Sequence, residues 1–232
     1  MSVCSYVIGR ENNTEWTYFY NQLYAKQHKI EKVLANDPPK YTPPCIMSIP
    51  SVERDKYMSL WSTYGTVWKK ALEECGEDYI SVYENDAIFP STYAKNLSDV
   101  VRAAETSKLR VVWLDKRSGT HKGAGGCCTV GVMYHRTILA DLIRQFDLNR
   151  SDASYWAEYA QKPRKVVNDT VCLTDFYLGN VVAYQNWNAY SYGIIHHPSE
   201  RRKYLSRWVD RWIYQKKLEN LSIFGTMPRA YH

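Results

Sequence analysis

Tyr79-Ile80-Ser81-Val82-Tyr83-Glu84-Asn85-Asp86-Ala87-Ile88-Phe89-Pro90 decides how the rest of the chain is read. Its first five residues are aromatic, β-branched or small, as a buried strand requires. The run carries two acids to its end, and a second apolar run follows at once. Glu84 and Asp86 are two apart, so in an extended chain they point the same way. Hard oxygen ligands at the end of a strand can hold a divalent cation against a diphosphate. The plain alternative is an acidic turn, which is the commoner meaning of an isolated acid-x-Asp, and it is the chain around this one that favours the cation site.

Working outward, the segment before this strand predicts a long helix opening at Ser51. Tyr57, Leu60, Trp61, Tyr64, Val67, Trp68, Ala71 and Leu72 keep helical spacing along it, and Gly76 stands where it would stop. Upstream, Val3–Ile8 reads as a buried first strand, Thr14–Lys26 as a helix and Lys29–Leu34 as a second strand. That strand–helix–strand order implies a βαβ unit and a parallel sheet. The Pro-rich stretch from Pro38 to Pro50 is a loop with room for a short strand at Cys45–Ile49.

Downstream, Tyr93–Ala104 is helical and Arg110–Leu114 is a strand ending at Asp115. Gly119–Gly126 is a flexible loop, Cys127–Tyr134 a strand and Thr137–Phe146 a helix. A short extended piece is expected within Val166–Cys172, a further element from Asp175 to Asn180, and a strand at Tyr190–Ile195. The reading is one α/β domain, residues 1–198, with a mostly parallel central sheet flanked by helices. A basic amphipathic helix in 199–232 forms a C-terminal appendage packed on it.

Composition narrows the classes. The chain has 232 residues, 45% of them hydrophobic, with 20 tyrosines and 8 tryptophans, which excludes a disordered polymer. Its net charge of +6 suits an anionic ligand such as a nucleotide diphosphate, and equally nucleic acid or an acidic membrane surface. Much of that charge lies late in the chain, in Arg201, Arg202, Lys203, Arg207, Arg211, Lys216 and Lys217. The six cysteines have no CxxC spacing, and Cys127 and Cys128 are adjacent, which argues against a disulfide scaffold or a zinc knuckle. No leader and no run of membrane-spanning length is present in the sequence. The expectation is a cytoplasmic protein of a reducing compartment, in a bacterium or a virus-infected host.

The order of elements resembles the glycosyltransferase family of lipo-oligosaccharide biosynthesis, related to the procollagen galactosyltransferases, whose fold is GT-A. The resemblance runs from about Val3 to Gly179. It is carried by Ser5-Tyr6-Val7-Ile8-Gly9-Arg10 at the first strand, Ala35-Asn36-Asp37 after the second, the Trp-bearing helix Trp61–Leu72, and Glu84-Asn85-Asp86 where the family has Glu-Asp-Asp. Acid-x-Asp between apolar runs is also the signature of metal-dependent sugar-nucleotide transferases. This chain departs from the family at Asn85, which replaces the middle acid. It has only Arg10 where paired arginines are usual, and Tyr64 in the place of a His.

The resemblance implies a transferase moving a sugar from a nucleotide diphosphate donor, a UDP-sugar, to a glycan hydroxyl with inversion. Val7, Gly9 and Arg10 would lie beside the diphosphate or base, Asp37 by the uridine or ribose hydroxyls, and Asn85 near the ribose. Mn²⁺ or Mg²⁺ would sit on Glu84 and Asp86, with His196 or His197 as a further ligand. An inverting reaction needs a general base. Asp175 is the first choice, and Asp169 and Asp115 compete with it. Each of these residues has a bland alternative as a turn, a cap or a surface charge.

Two tempting motifs fail on their own chemistry. Gly123-Ala124-Gly125-Gly126 lacks a following Lys-Ser or Lys-Thr and precedes a strand, so it is no phosphate loop; a wall near the acceptor, with His121 in it, fits better. Cys127 and Cys128 have no identifiable His partner for nucleophilic chemistry. Two rival readings remain. One is a non-catalytic nucleotide- or carbohydrate-binding module on the same scaffold, motivated by Asn85 and the missing arginine. The other is a nucleic-acid or membrane-surface protein acting through Trp208, Trp212 and the late arginines, against which an inward-packed helix is preferred. The partners expected are therefore a sugar-nucleotide donor and a glycan acceptor, without nucleic acid or a transmembrane segment, and with peripheral membrane contact open to the C-terminal helix.

Overall fold

Strand pairing places six strands in one sheet in the order β2-β1-β3-β5-β4-β6. They are β1 (Cys4–Gly9), β2 (Ile30–Leu34), β3 (Tyr79–Glu84), β4 (Val111–Asp115), β5 (Gly131–His135) and β6 (Ala189–Ile195). The structure is a computed structural model, and it describes residues 3–9, 30–38, 51–85, 87, 89–90, 92–115, 129–145, 178, 182 and 185–195. The expected helix at Thr14–Lys26, the short strand at Cys45–Ile49, the extended piece in Val166–Cys172 and the basic C-terminal helix lie outside those residues.

β1 pairs in parallel with β2 on one side and β3 on the other. β5 is antiparallel to both β3 and β4, and β4 is parallel to β6. The mixed α/β fold, a six-stranded and mostly parallel sheet flanked by helices, is that of a Rossmann-like domain and agrees with the sequence expectation. What the expectation lacked is the reversed strand β5 in the middle of the sheet.

Side chains alternate across the sheet and divide the core in two. On one face Tyr6, Ile8, Ile80, Val82, Val111, Trp113, Val132 and Tyr134 cluster with helix α1 (Ser51–Glu74) through Met58, Trp61, Tyr64, Val67, Trp68 and Ala71. On the other face Val7, Tyr79, Tyr83, Val112, Leu114 and Met133 cluster with helix α2 (Tyr93–Thr106) through Tyr93, Leu97, Val100, Val101 and Ala104. The short helix α3 (Leu139–Gln145), entered through a 3₁₀ turn at Arg136–Ile138, adds Leu139 and Leu142 to the α1 cluster. The aromatic stripe of α1 therefore lies where its spacing predicts, with Leu60 and Leu72 at its half-buried margins. Gly76 does not end α1 by a left-handed turn, because the glycine with positive φ among the described residues is Gly193.

The second face carries a run of buried hydroxyls. Ser5 and Ser81 meet at 2.5 Å between β1 and β3, and Tyr83 bonds Tyr93 of α2. Burial pushes the Tyr83 phenol up to about 12, so it stays a neutral hydroxyl at ordinary pH.

One cysteine expectation is corrected. Cys4 and Cys75 form a disulfide with Cα atoms 6.1 Å apart and a sequence separation of 71. It ties the start of β1 to the residue after α1. No spacing rule could find it, because the proximity is created by α1 folding back across the sheet. With this bridge, cysteine usage no longer argues for a reducing compartment. Closing so long a loop removes denatured-state entropy worth about 4 kcal/mol in the chain-entropy account. Cys75→Ser should accordingly lower the unfolding free energy by about 2–4 kcal/mol, measured by urea denaturation. Reductant should bring wild-type protein to the same value.

At the edge where β5 ends, Arg110 Nη1 lies 2.9 Å from His135 Nδ1 and donates to Thr137 Oγ1 at 2.6 Å. The Thr137 amide also donates to His135 Nδ1, at 3.3 Å, so that nitrogen is an acceptor and carries no proton. Burial and the Arg110 charge hold the imidazole below its ordinary value, with Asp78 opposing them weakly. A histidine whose folded pKa is depressed binds fewer protons folded than unfolded. Its stabilising contribution is complete above the unfolded value of about 6.5 and is lost as pH falls through the folded pKa. Stability should therefore decline on acidification below about pH 6.5, and His135→Asn should flatten that part of the profile, read by thermal unfolding across pH.

Candidate functional site

The pairing pattern collects strand ends. β1, β2, β3, β4 and β6 all run the same way, and β5 runs against them. Gly9, Leu34, Glu84, Asp115 and Ile195 therefore finish at one edge of the sheet, and β5 begins there. In open α/β sheets the carboxyl ends of the strands are where ligands bind.

After β2 the chain turns across this edge. The Ala35 amide donates to the Gly9 carbonyl at 3.1 Å, which holds the turn beside the end of β1. Asn36 is then gripped by α1. Its amide nitrogen donates to Thr63 Oγ1 at 2.8 Å, and its Nδ2 donates to Ser62 Oγ at 3.0 Å and Thr66 Oγ1 at 2.8 Å. Ser59 Oγ donates to its carbonyl at 2.5 Å. Asp37 and Pro38 come next and are exposed.

At the end of β3, the Glu84 amide donates to the Val130 carbonyl at 3.0 Å, and Glu84 Oε1 accepts from Thr129 Oγ1 at 2.6 Å. The buried Tyr64 hydroxyl donates to the Thr129 carbonyl at 2.7 Å. α1 thus supports the segment entering β5, which in turn orients the Glu84 carboxylate. The Ala87 amide donates back to the Glu84 carbonyl at 3.1 Å, closing a turn over Asn85. The extended geometry that would set Glu84 and Asp86 on one side accordingly stops at Glu84. Asp86 itself lies outside the described residues.

Gly9, Asp37, Glu84 and Asn85 are brought to the shared edge. Val7 is not presented there: its side chain is 3% exposed and belongs to the core facing α2, and its backbone lies within the ladder between β2 and β3. Asp115 ends β4 at the same edge and is fully buried. Arg10, Asp169, Asp175, His196 and His197 lie outside the described residues, although β6 ends at Ile195, immediately before His196 in the chain. Among the described residues no group of three His, Cys, Asp or Glu side chains converges to hold a metal.

β6 reaches this edge through an irregularity. Trp113 pairs with Ser191 but Asp115 with Ile195, so β6 carries extra residues against β4, and Gly193 sits among them at φ 60°. Such a bulge bends a strand and re-aims its terminal residues. Gly131, at the start of β5, gives the Ile195 side chain room: a Cβ there would collide with Ile195 Cδ1.

Sequence reasoning missed Thr129 and Asn36, and it noted Tyr64 as part of the apolar stripe and as a departure from a family pattern, without a role for its hydroxyl. A signal for Asn36 was present. Ser59, Ser62, Thr63 and Thr66 fall at helical spacing beside the apolar stripe, a row of hydroxyls that the sequence does not otherwise need.

No protein-family model and no curated protein matches the chain. Among solved structures, a glycosyltransferase involved in the glycosylation of the major capsid of PBCV-1 superposes with a TM-score of 0.47 at 8% identity, covering 83% of this chain and 82% of that one. A197 from STIV superposes with a TM-score of 0.40 at 12% identity, covering 84% and 83%. Among the described residues no helix is long and apolar enough to cross a membrane.

Tyr64→Phe removes the donor to a buried carbonyl, and an unsatisfied buried acceptor costs about 1–3 kcal/mol. The variant should lose that much unfolding free energy in urea while keeping the native circular dichroism.

Proposed function

We propose that the chain is a metal-dependent glycosyltransferase. It would take a nucleotide diphosphate sugar, a UDP-sugar, and transfer the sugar to the hydroxyl of a glycan or protein-linked glycan. The observation that carries this reading is the convergence of Gly9, Asp37, Glu84 and Asn85 at the carboxyl edge of a parallel β2-β1-β3 unit. In this reading the backbone at Gly9, together with Arg10, lies beside the diphosphate. Asp37 accepts hydrogen bonds from ribose hydroxyls, and Asn85 contributes nearby.

The donor set at the end of β3 is all oxygen, which fits Mg²⁺ or Mn²⁺. Glu84 and Asp86 would hold the ion, with His196 or His197 completing it. When bound, the ion supplies positive charge against the departing diphosphate. Glu84 is suited to this by its contact with Thr129, which fixes the carboxylate at the strand end.

With inversion, the acceptor oxygen bonds to the anomeric carbon as the bond to the diphosphate breaks, and its proton passes to a base. Asp175 is assigned that role, with Asp169 as the competitor. The complete burial of Asp115 fits it less well to reach an acceptor. Asn85 in place of an acid keeps a second reading in view, a binding module that holds the nucleotide sugar without transferring it. Slow release of sugar to water, measured on UDP-sugars, separates an enzyme from a module.

The test is a thermal-shift screen of nucleotide diphosphates with and without Mn²⁺, since a ligand of the native state raises the apparent melting point. UDP should raise it only with the metal present, and Asp86→Ala should abolish both that shift and turnover while leaving the unliganded melting point unchanged. Normal turnover by Asp86→Ala overturns the metal assignment.

A further inference from the structure

We propose that Asn36 is a positioning residue for nucleotide binding, fixing the turn after β2 so that Asp37 stands ready at the sheet edge. This rests on the reading of Asp37 as a ribose ligand.

Asn36 and Asp37 are adjacent polar residues in one turn, and composition alone does not say which would meet a ligand. The structure separates them. The Asn36 side-chain NH₂ is held by Ser62 and Thr66, and its backbone by Thr63 and Ser59. Four contacts from one helix face hold a residue that belongs to no helix or strand. Two of the four contributing residues, Ser59 and Thr63, are buried polar side chains within the α1 interface, 3% and 0% exposed. Thr63 in turn donates to the Ser59 carbonyl at 2.6 Å, so the row is internally braced.

Asp37, by contrast, is exposed. It is restrained on its other side by Pro38, because a residue before proline is confined to extended conformations. A clamped Asn36 before it and a proline after it leave the Asp37 backbone few states. Ordering that would otherwise oppose binding is already complete, which is how preorganisation raises affinity. The same turn is joined to the end of β1 by the Ala35–Gly9 bond, so Asp37 is set relative to the strand end where the diphosphate would lie.

The experiment is calorimetric titration of full-length protein with UDP and Mn²⁺, applied to wild type, Asp37→Ala, Asn36→Ala, the Asn36→Ala/Asp37→Ala double variant and Ser62→Ala/Thr66→Val. Asn36→Ala should weaken UDP about tenfold, a change that corresponds to roughly 1.4 kcal/mol. The double variant should bind no more weakly than Asp37→Ala alone, because a residue acting only through Asp37 has nothing to position once that carboxylate is gone. Ser62→Ala/Thr66→Val leaves Asn36 in place, alters the outer part of α1 and should weaken UDP in the same direction. It carries the test if Asn36→Ala does not fold. Wild-type affinity in both Asn36→Ala and Ser62→Ala/Thr66→Val, with Asp37→Ala impaired, overturns the proposal alone. Losses that add in full in the double variant also overturn it, since Asn36 would then act independently. Wild-type protein that takes no UDP, or Asp37→Ala that binds normally, overturns the nucleotide reading and this proposal with it.

Discussion

β1 is hydrogen-bonded in parallel on both sides, and the location of the polar strand ends depends on that pairing. A parallel neighbour cannot be reached by a tight hairpin, so the chain must cross back over the sheet before each new parallel strand. Between β2 and β3 the crossing is made by α1, whose aromatic stripe covers one face. The same requirement delivers Gly9, the Asn36–Asp37 turn and Glu84 to one edge. Had any of the three strands run the other way, its terminal polar residues would lie at the opposite edge, with the Cys4–Cys75 bridge.

Within this frame α1 does more than cover apolar surface. Its buried aromatic rows seal the sheet, while its row of hydroxyls and the Tyr64 phenol reach the edge and hold two separate pieces of backbone there. Both are contacts to groups outside regular pairing, where a peptide has no ladder to satisfy it. One helix thus couples the order of the site's backbone to the packing of the core, and rigidity at the edge is inherited from burial beneath it.

Much of this was legible beforehand, and the reasons differ by element. The strands and the two long helices carry hydrophobic periodicity, so Tyr79–Glu84, Val111–Asp115 and the stripe from Trp61 to Ala71 declare themselves. The acids at strand ends are equally visible because they interrupt apolar runs. The reversal of β5 is not, since an apolar strand reads the same in either direction. The Cys4–Cys75 bridge and the Thr129–Glu84 contact join residues that only the folded sheet brings close, and no local pattern marks them. The Val7 side chain is buried for a related reason: both faces of β1 are covered, so a residue inside that strand meets core whichever face it takes, and nearness to the strand end in sequence does not show this. Asn36 lay between the two cases, its hydroxyl partners spaced along α1 in plain view but with nothing to name what they hold.

The reversed strand has an architectural consequence. Because β4 arrives at the polar edge and β5 departs from it, the connection through residues 116–128 leaves from Asp115 and returns at Thr129 on the same rim. A connection whose two anchors are fixed side by side is nearly indifferent to its own length, since doubling it adds only about 0.6 kcal/mol of closure cost. The sheet, the helices and the Glu84 support can all stay constant while that segment is lengthened, shortened or rewritten. The rim between β4 and β5 is thus a place where evolution can change the chain beside the strand ends without disturbing the fold that holds them.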